Sequence, residues 1–281
     1  SGSGATGAPS PSTKTVVRTV EAVSRPAPCG RSRSVRQSGG YMHEPRFYRE
    51  LMVSTDLCSF NVTVDESDLQ IAAELDLADD ARHALRQYRG QIVEQIRRQP
   101  AFRHSLAPVE PLPDSPEIIQ AMCQAAAAAK VGPMAAVAGA LAQFVGLSLL
   151  KKSKELIIEN GGDLFVVTST ARKVLIYAGT SPFSNQIALA IPGDGQPWGI
   201  CTSSGTVGHA LSFGRTDAAV VVARDALLAD AAATAVGNSV KTAAEIEKGL
   251  ERGMAIPGVE GVLIIVGDKM GAYGNINLTR P

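Results

Sequence analysis

Apolar and polar residues first fall into a regular pattern from Phe60 onward. There they alternate with a period of two, which predicts strands on either side of a hairpin turn at residues 65–68. Over residues 79–98 the apolar positions recur every three or four residues, as on one face of an amphipathic helix. Five prolines within residues 99–116 exclude regular structure there, so we expect an irregular segment after the helix.

The next stretch predicts two apolar helices in succession. Ser115 has a side chain suited to a helix cap, and Pro116 suits the first helical position. Residues 131–150 then carry no charge over 20 residues, which is the length of a membrane span. Their high content of Ala and Gly, with Gly139 at the centre of a face of small residues, favours instead a helix that is buried against another backbone.

Short apolar runs separated by turn residues predict a sheet in the second half of the chain. The predicted strands are 156–158, 164–168, 174–177, 187–191, 218–223 and 262–266. Helices are predicted at 225–240 and 242–253, and the residues 199–209, rich in Gly, Ser and Thr, are predicted to form a loop. Hairpins mixed with long helices indicate an α+β fold, with helices packed on one face of a largely antiparallel sheet.

Composition separates the first forty residues from the rest. Residues 1–40 contain 18 Ser, Gly or Pro and six basic residues against one acidic residue, which is typical of a disordered tail, a targeting segment or an added linker. We therefore divide the chain into this segment and a single domain at 41–281. The whole chain holds 27 Lys and Arg against 27 Asp and Glu, so no basic field favours nucleic acid or a membrane as a partner.

The four cysteines favour a reducing compartment. Cys29, Cys58, Cys123 and Cys201 form no C-x-x-C pair, which argues against a cysteine-based zinc site. No secretory apolar segment precedes them, so we expect reduced thiols in a cytoplasmic protein.

The Ala-rich helix at 225–240 carries a candidate metal site. Asp230 and Thr234 lie four residues apart, so a carboxylate and a hydroxyl share one helix face. Mg²⁺ commonly takes one or two carboxylates together with phosphate oxygens. The alternative is a helix-end carboxylate that contacts only local backbone.

Two Gly-rich segments are suited to close approach of a ligand. The turn at 160–163, Asn-Gly-Gly-Asp, is either an ordinary hairpin turn or a backbone platform for a ligand. The segment 199–209 offers hydroxyl and N–H donors suited to a phosphate. It also brings Cys201 and His209 close in sequence, either as a nucleophile and its base or with Cys201 as a buried, inert thiol.

Taken together, these motifs resemble the ApbE superfamily, whose best-known members are FAD:protein FMN transferases. The resemblance rests on residues 159–163, on the run 201–205, on His209 and on the Ala-Asp-x-x-x-Thr-Ala stretch around Asp230. Residues 131–139 and 205–209 look most like an ApbE-like branch of bacteria and archaea. The resemblance covers about residues 47–238. It implies a T-fold-like architecture with a flavin or nucleotide site between the Gly-Gly turn, the Ser/Thr-rich segment and the Asp-Thr helix.

The resemblance also implies roles for individual residues. It matches Asp230 and Thr234 to the Asp and Thr with which the transferases hold Mg²⁺, and it makes FAD or FMN the expected ligand. The candidate catalytic residues are Cys201, His209 and Asp163. The candidate cofactor-binding residues are Asn160, Gly161, Gly162, Thr202, Ser203, Ser204, Gly205 and Thr206.

At three points the chain departs from the transferase motifs. The transferases have one more residue between Asn160 and the Gly-Gly pair. His209 is followed by Ala-Leu-Ser-Phe-Gly where the transferases have Asp-Pro-x-Thr-Gly, and Gly132-Pro133 stands where they have Lys-Gly. All three departures concern substrate handling.

Three functions are compatible with these observations. An ApbE-like protein would bind a flavin or nucleotide phosphate with Mg²⁺ and transfer FMN or another group, with a protein as acceptor. A sulfur-handling protein would use Cys201 as nucleophile or carrier, activated by His209. A non-catalytic scaffold would assemble around a shared sheet. We expect the chain to form a homo-oligomer.

Overall fold

The computed structural model describes residues 56–205 and 214–281. The predictions for the tail at 1–40, for Thr206 and for His209 lie outside the described residues. Within these two ranges the chain forms a layer of helices, a large central sheet and a small second sheet.

Antiparallel pairing defines both sheets. The strands are β1 (Cys58–Val64), β2 (Ser67–Ala73), β3 (Leu156–Asn160), β4 (Asp163–Val167), β5 (Arg172–Leu175), β6 (Ala188–Ile191), β7 (Pro197–Ser203), β8 (Ala218–Ala223), β9 (Val259–Val266), β10 (Lys269–Gly274) and β11 (Leu278–Thr279). The central sheet has the order β1-β2-β3-β4-β7-β8-β9-β10, and the second sheet has the order β11-β6-β5. All neighbouring strands are antiparallel, as the sequence pattern predicted for most of the sheet.

The helices cover one face of the central sheet. They are α1 (Ala78–Arg98), α2 (Ala101–His104), α3 (Glu117–Ala129), α4 (Val137–Leu149), α5 (Ala226–Ser239) and α6 (Ile246–Met254), with short 3₁₀ helices at Pro133–Ala136 and Ala243–Glu245. Alternate residues of each strand point to opposite faces. On β4, Phe165 and Val167 pack against the helices, whereas Leu164 and Val166 pack against the second sheet. The middle of the central sheet is therefore buried on both faces.

The small-residue face of α4 makes the close contacts that its composition predicted. A Cβ on Gly146 would lie 2.4 Å from the Phe165 ring, and one on Gly139 would lie 2.2 Å from the carbonyl oxygen of Ala226 in α5. In the described part of the chain, no single helix is long and apolar enough to cross a membrane. The helices at Glu117–Ala129 and Pro133–Leu149 meet that test only as a pair bent by 104°.

Three local predictions are wrong. The segment 99–116, expected to be irregular throughout, contains the short helix α2, because Pro100 stands at its cap position and does not interrupt it. Residues 199–203, predicted as part of a loop, belong to β7, which pairs with β4 and β8 in the middle of the central sheet. Small residues there face α5 at close range, so a composition typical of loops serves close packing. Ser115 does not cap α3, since Pro116 takes the cap position and the Ser115 hydroxyl donates to Gln95 Oε1 at 3.0 Å.

Candidate functional site

A buried carboxylate, Asp163, and a partly buried one, Asp230, lie close together where the β3–β4 hairpin turns. Asp163 is the first residue of β4, and Asp230 lies on α5, which packs over β4 and β7. Burial raises the pKa of Asp163 well above its usual range, and the negative charge of Asp230 raises it further. Burial also raises the pKa of Asp230 to about 7. We call Asp163 and Asp230 the carboxylate pair.

Backbone N–H groups hold each member of the pair. Asp163 Oδ1 accepts from the Thr202 N–H at 3.1 Å, and Asp230 Oδ2 accepts from the Gly139 N–H at 2.9 Å. Such bonds favour the ionised form and oppose the effect of burial. Among the described residues, no ion pair joins either carboxylate to a basic side chain. When the pair is ionised, no basic side chain in this part of the chain offsets its negative charge.

Close packing fixes the position of Asp230. A Cβ on Gly139 would lie 3.0 Å from the Asp230 Cβ, in addition to its clash with Ala226, so only glycine allows α4 to approach α5 this closely. One turn along α4, Gln143 Oε1 accepts from the Ala226 N–H at 2.7 Å and thereby satisfies a free donor at the start of α5. Asp225 caps the same helix by accepting from the next two N–H groups.

Thr234 lies on the same face of α5 as Asp230. It is four residues farther along the helix and partly exposed, and the metal site at Asp230 and Thr234 stays a prediction. In the described residues, no three His, Cys, Asp or Glu side chains form a metal-binding group. The available donors are thus two carboxylates and one hydroxyl. Hard oxygen donors of this kind suit Mg²⁺, which completes its coordination with water and phosphate oxygens.

The Gly-Gly turn lies beside the carboxylate pair. Gly161 and Gly162 adopt φ of +68° and +105°, which a side chain would strain, and a Cβ at either position would meet open space. The Gly162 N–H donates to Glu159 Oε1 at 2.9 Å. The turn is therefore both an ordinary hairpin turn and a bare stretch of backbone that a ligand can approach.

Cys201 does not lie in an environment that favours a thiolate. The residue is fully buried, and its Sγ donates to the Ala226 carbonyl oxygen at 3.4 Å. Burial and the neighbouring Asp163 and Asp230 charges raise the pKa of the thiol well above its usual range. A reactive cysteine needs the opposite, a lowered pKa and exposure. His209 lies outside the described residues, so its pairing with Cys201 stays a prediction.

The predicted donors on residues 202–205 do not all converge. Strand alternation turns Thr202 towards the second sheet, whereas Ser203 faces α5 beside Gly237. The Ser204 hydroxyl donates to the Thr216 carbonyl oxygen at 3.4 Å. Of this set, the Thr202 N–H is the group that contacts the carboxylate pair directly.

Sequence reasoning missed the functions of Gly139 and Gln143. The sequence places Gly139 on a face of small residues, but the carboxylate that its N–H holds is 91 residues away. The signal for Gln143 was its place as a polar residue within an uncharged helix. A polar side chain that is held in such a helix needs a hydrogen-bond partner.

Solved structures with the same architecture define the structural class. The Pseudomonas stutzeri flavinyl transferase ApbE, in its apo form, matches with a TM-score of 0.54 at 14% identity, over 78% of this chain and 94% of that chain. A mutant of the flavin transferase ApbE from Vibrio cholerae matches with a TM-score of 0.51 at 12% identity, over 78% of this chain and 97% of that chain. The chain thus has the ApbE-like flavin transferase fold, which confirms the predicted α+β class.

The family model described as AbpE bacteria matches residues 49–272, and the chain belongs to this family. A UPF0280 protein from Methanocella arvoryzae is 40% identical over 206 residues, which cover 71% of this chain and 84% of the relative. A UPF0280 protein from Methanococcus aeolicus is 40% identical over 201 residues, which cover 70% of this chain and 81% of that relative. These findings confirm the predicted ApbE-like branch and extend the match beyond residue 238.

Proposed function

We propose that this protein binds the phosphate groups of a flavin or another nucleotide together with Mg²⁺, and that it transfers FMN or a related group to an acceptor, for which a protein is the candidate. The carboxylate pair carries this proposal. A buried acid and a partly buried acid that are held by backbone N–H groups and lack a cationic partner among the described residues suit a site that a divalent cation completes. The ApbE-like fold supports the choice of a flavin.

Each residue of the site has a definite task in this proposal. Asp230, Thr234 and Asp163 would hold Mg²⁺, which offsets phosphate charge and orients the transferred group. Gly161 and Gly162 let backbone approach the ligand without a side chain in between. The N–H groups of Gly139 and Thr202 hold the carboxylates in place.

The departures from the transferase motifs concern the ligand and the acceptor. Gly132, in the position where the transferases have Lys, packs so closely that a Cβ would lie 1.8 Å from the Ser105 carbonyl oxygen. A long basic side chain has no room at this position. We therefore separate the binding of a nucleotide phosphate, which the carboxylate pair supports, from complete FMN transfer, which needs its own assay. Assembly into a homo-oligomer stays a prediction.

Calorimetric titration tests the proposal. FAD, FMN and ADP are titrated into the wild-type protein with Mg²⁺ or with EDTA, and then into Asp230→Asn and Cys201→Ser. We expect binding that needs Mg²⁺, that is lost in Asp230→Asn and that is kept in Cys201→Ser. The sulfur-handling alternative requires the reverse order of the two variants. Absence of binding by the wild type to all three ligands would refute the proposal.

A further inference from the structure

The peptide unit between Ala138 and Gly139 connects the β3–β4 turn to α5, the helix that carries Asp230. The Asn160 Nδ2 donates to the Ala138 carbonyl oxygen at 3.1 Å. The Gly139 N–H, which belongs to the same planar peptide unit as that carbonyl, donates to Asp230 Oδ2 at 2.9 Å. The sheet thus holds the first turn of α4 through Asn160, and that turn holds α5 through Asp230.

We propose that Asn160 is a positioning residue, which sets the place and orientation of Asp230 through the 138–139 peptide. This inference rests on the proposed function, in which Asp230 holds the cation. It changes the role of Asn160 from the cofactor-binding residue that the sequence predicted to a residue that acts through another one.

Two observations and one physical argument support the connection. Asn160 is buried at 8% exposure and is the cross-strand partner of Asp163. Its backbone therefore helps to place Asp163, and its side chain is connected to Asp230 through the 138–139 peptide. Hydrogen bonds in series polarise one another, so donation to the carbonyl of residue 138 strengthens the N–H that Asp230 accepts. The packing of Gly139 on Ala226 makes the position of α5 depend closely on that of α4.

The side-chain chemistry of residue 160 distinguishes positioning from direct contact with a cation. Positioning needs the N–H donor of the amide, whereas a direct ligand needs only an oxygen. Asn160→Asp keeps the size and the oxygen but removes the donor and sets an oxygen against the Ala138 carbonyl. Asn160→Leu removes both polar groups but keeps the number and branching of the side-chain heavy atoms. A positioning role therefore makes both variants defective, whereas direct contact makes Asn160→Asp competent.

The test measures amide hydrogen exchange at Gly139 by NMR in the wild-type protein and in both variants, without ligand. We expect faster exchange at Gly139 by about five- to tenfold, the effect of weakening one hydrogen bond. The matched control is Tyr88→Phe, which removes the bond between the Tyr88 hydroxyl and Ser148 at the far end of α4 but keeps the ring beside Phe144. This control should leave exchange at Gly139 unchanged. Unchanged exchange in both Asn160 variants, or an equal change in Tyr88→Phe, would overturn the inference.

A binding measurement connects the inference to the site. Mn²⁺ is titrated with ADP and followed by electron paramagnetic resonance, and we expect affinity to fall by about tenfold in both Asn160 variants and to stay unchanged in Tyr88→Phe. Faster exchange at Gly139 with undiminished Mn²⁺ affinity would contradict a positioning role. If the wild type bound no Mn²⁺ with ADP, the proposed function would fail, while the exchange data would still decide whether Asn160 holds Asp230.

Discussion

Acidic residues at the two ends of the β3–β4 hairpin have different hydrogen-bond and ion-pair partners. The open end lies where β3 begins and β4 ends, and the turn end lies at residues 160–163. At the open end, Glu155 accepts from the Thr168 hydroxyl at 2.6 Å, from the Ser169 N–H at 2.7 Å and from the Ser169 hydroxyl, and it pairs with Arg172 at 3.5 Å. Arg172 also pairs with Asp56 at 2.7 Å. At the turn end, the carboxylate pair has backbone donors but no cationic partner among the described residues.

Their pKa shifts reflect this difference. Burial alone would raise the pKa of Glu155, but the hydrogen bonds from Ser169, Thr168 and Arg172 bring it below its usual range. The pKa values of Asp163 and Asp230 are raised. A compensated acid stabilises the fold, whereas uncompensated acids destabilise it until a cation arrives. The open end therefore contributes to stability, and the contrast at the turn end supports the proposed ligand site.

The largest effect is expected where the turn end meets α5. Gly139→Leu should lower the free energy of unfolding by at least about 3 kcal/mol, because backbone atoms of Ala226 rather than a flexible side-chain end block the new side chain. Urea unfolding measures this. As a control, Gly90→Ala in the exposed part of α1, where a Cβ meets nothing, should raise stability by about 0.5–1 kcal/mol. Equal tolerance of both changes would show that α4 and α5 are not in close contact.

A smaller loss is expected at the open end. Glu155→Gln should lower the free energy of unfolding by about 1–3 kcal/mol, since it removes a charged acceptor from Arg172, Thr168 and Ser169. Glu94→Gln, which breaks an exposed pair with Arg97, should have no measurable effect. A neutral Glu155→Gln would remove the contrast between the two ends of the hairpin.

The pH dependence of stability should differ in sign between the two ends. The pKa of Asp230 is about 7 in the folded protein against 3.8 for the free side chain, so between these values the folded state binds more protons than the unfolded state. Stability therefore falls as pH rises through this window. For Glu155, whose pKa is lowered from 4.5, stability is lost as pH falls.

Urea unfolding in EDTA from about pH 5 to about pH 8 separates the two contributions. Wild-type protein should lose stability relative to Asp230→Asn as pH rises over this range. Parallel pH profiles of the two proteins would mean that Asp230 is not held in an unfavourable, uncompensated state.

Local patterns predicted most of the fold but little of the site. The alternation after Phe60 correctly predicted strands, and the small-residue face around Gly139 correctly predicted a closely packed helix. Both patterns depend on neighbours in sequence. The local sequence could not predict that residues 199–203 form a strand, because pairing with β4 and β8 holds their Ser and Thr residues in the extended conformation. The sequence indicates Asp163 and Asp230 separately, but their proximity depends on the packing of α5 over distant strands, which no local spacing encodes.

The most direct test of the account is the thermal stability of Asp230→Asn against wild type at about pH 8, in EDTA and with Mg²⁺ plus ADP or FAD. If Asp230 serves the ligand rather than the fold, the variant should melt at or above the wild-type temperature in EDTA. Only the wild type should then gain stability with Mg²⁺ and ligand, by about 2.7 kcal/mol at a hundredfold excess over the dissociation constant. A variant that melts well below wild type in EDTA yet keeps the full gain with ligand would contradict the account.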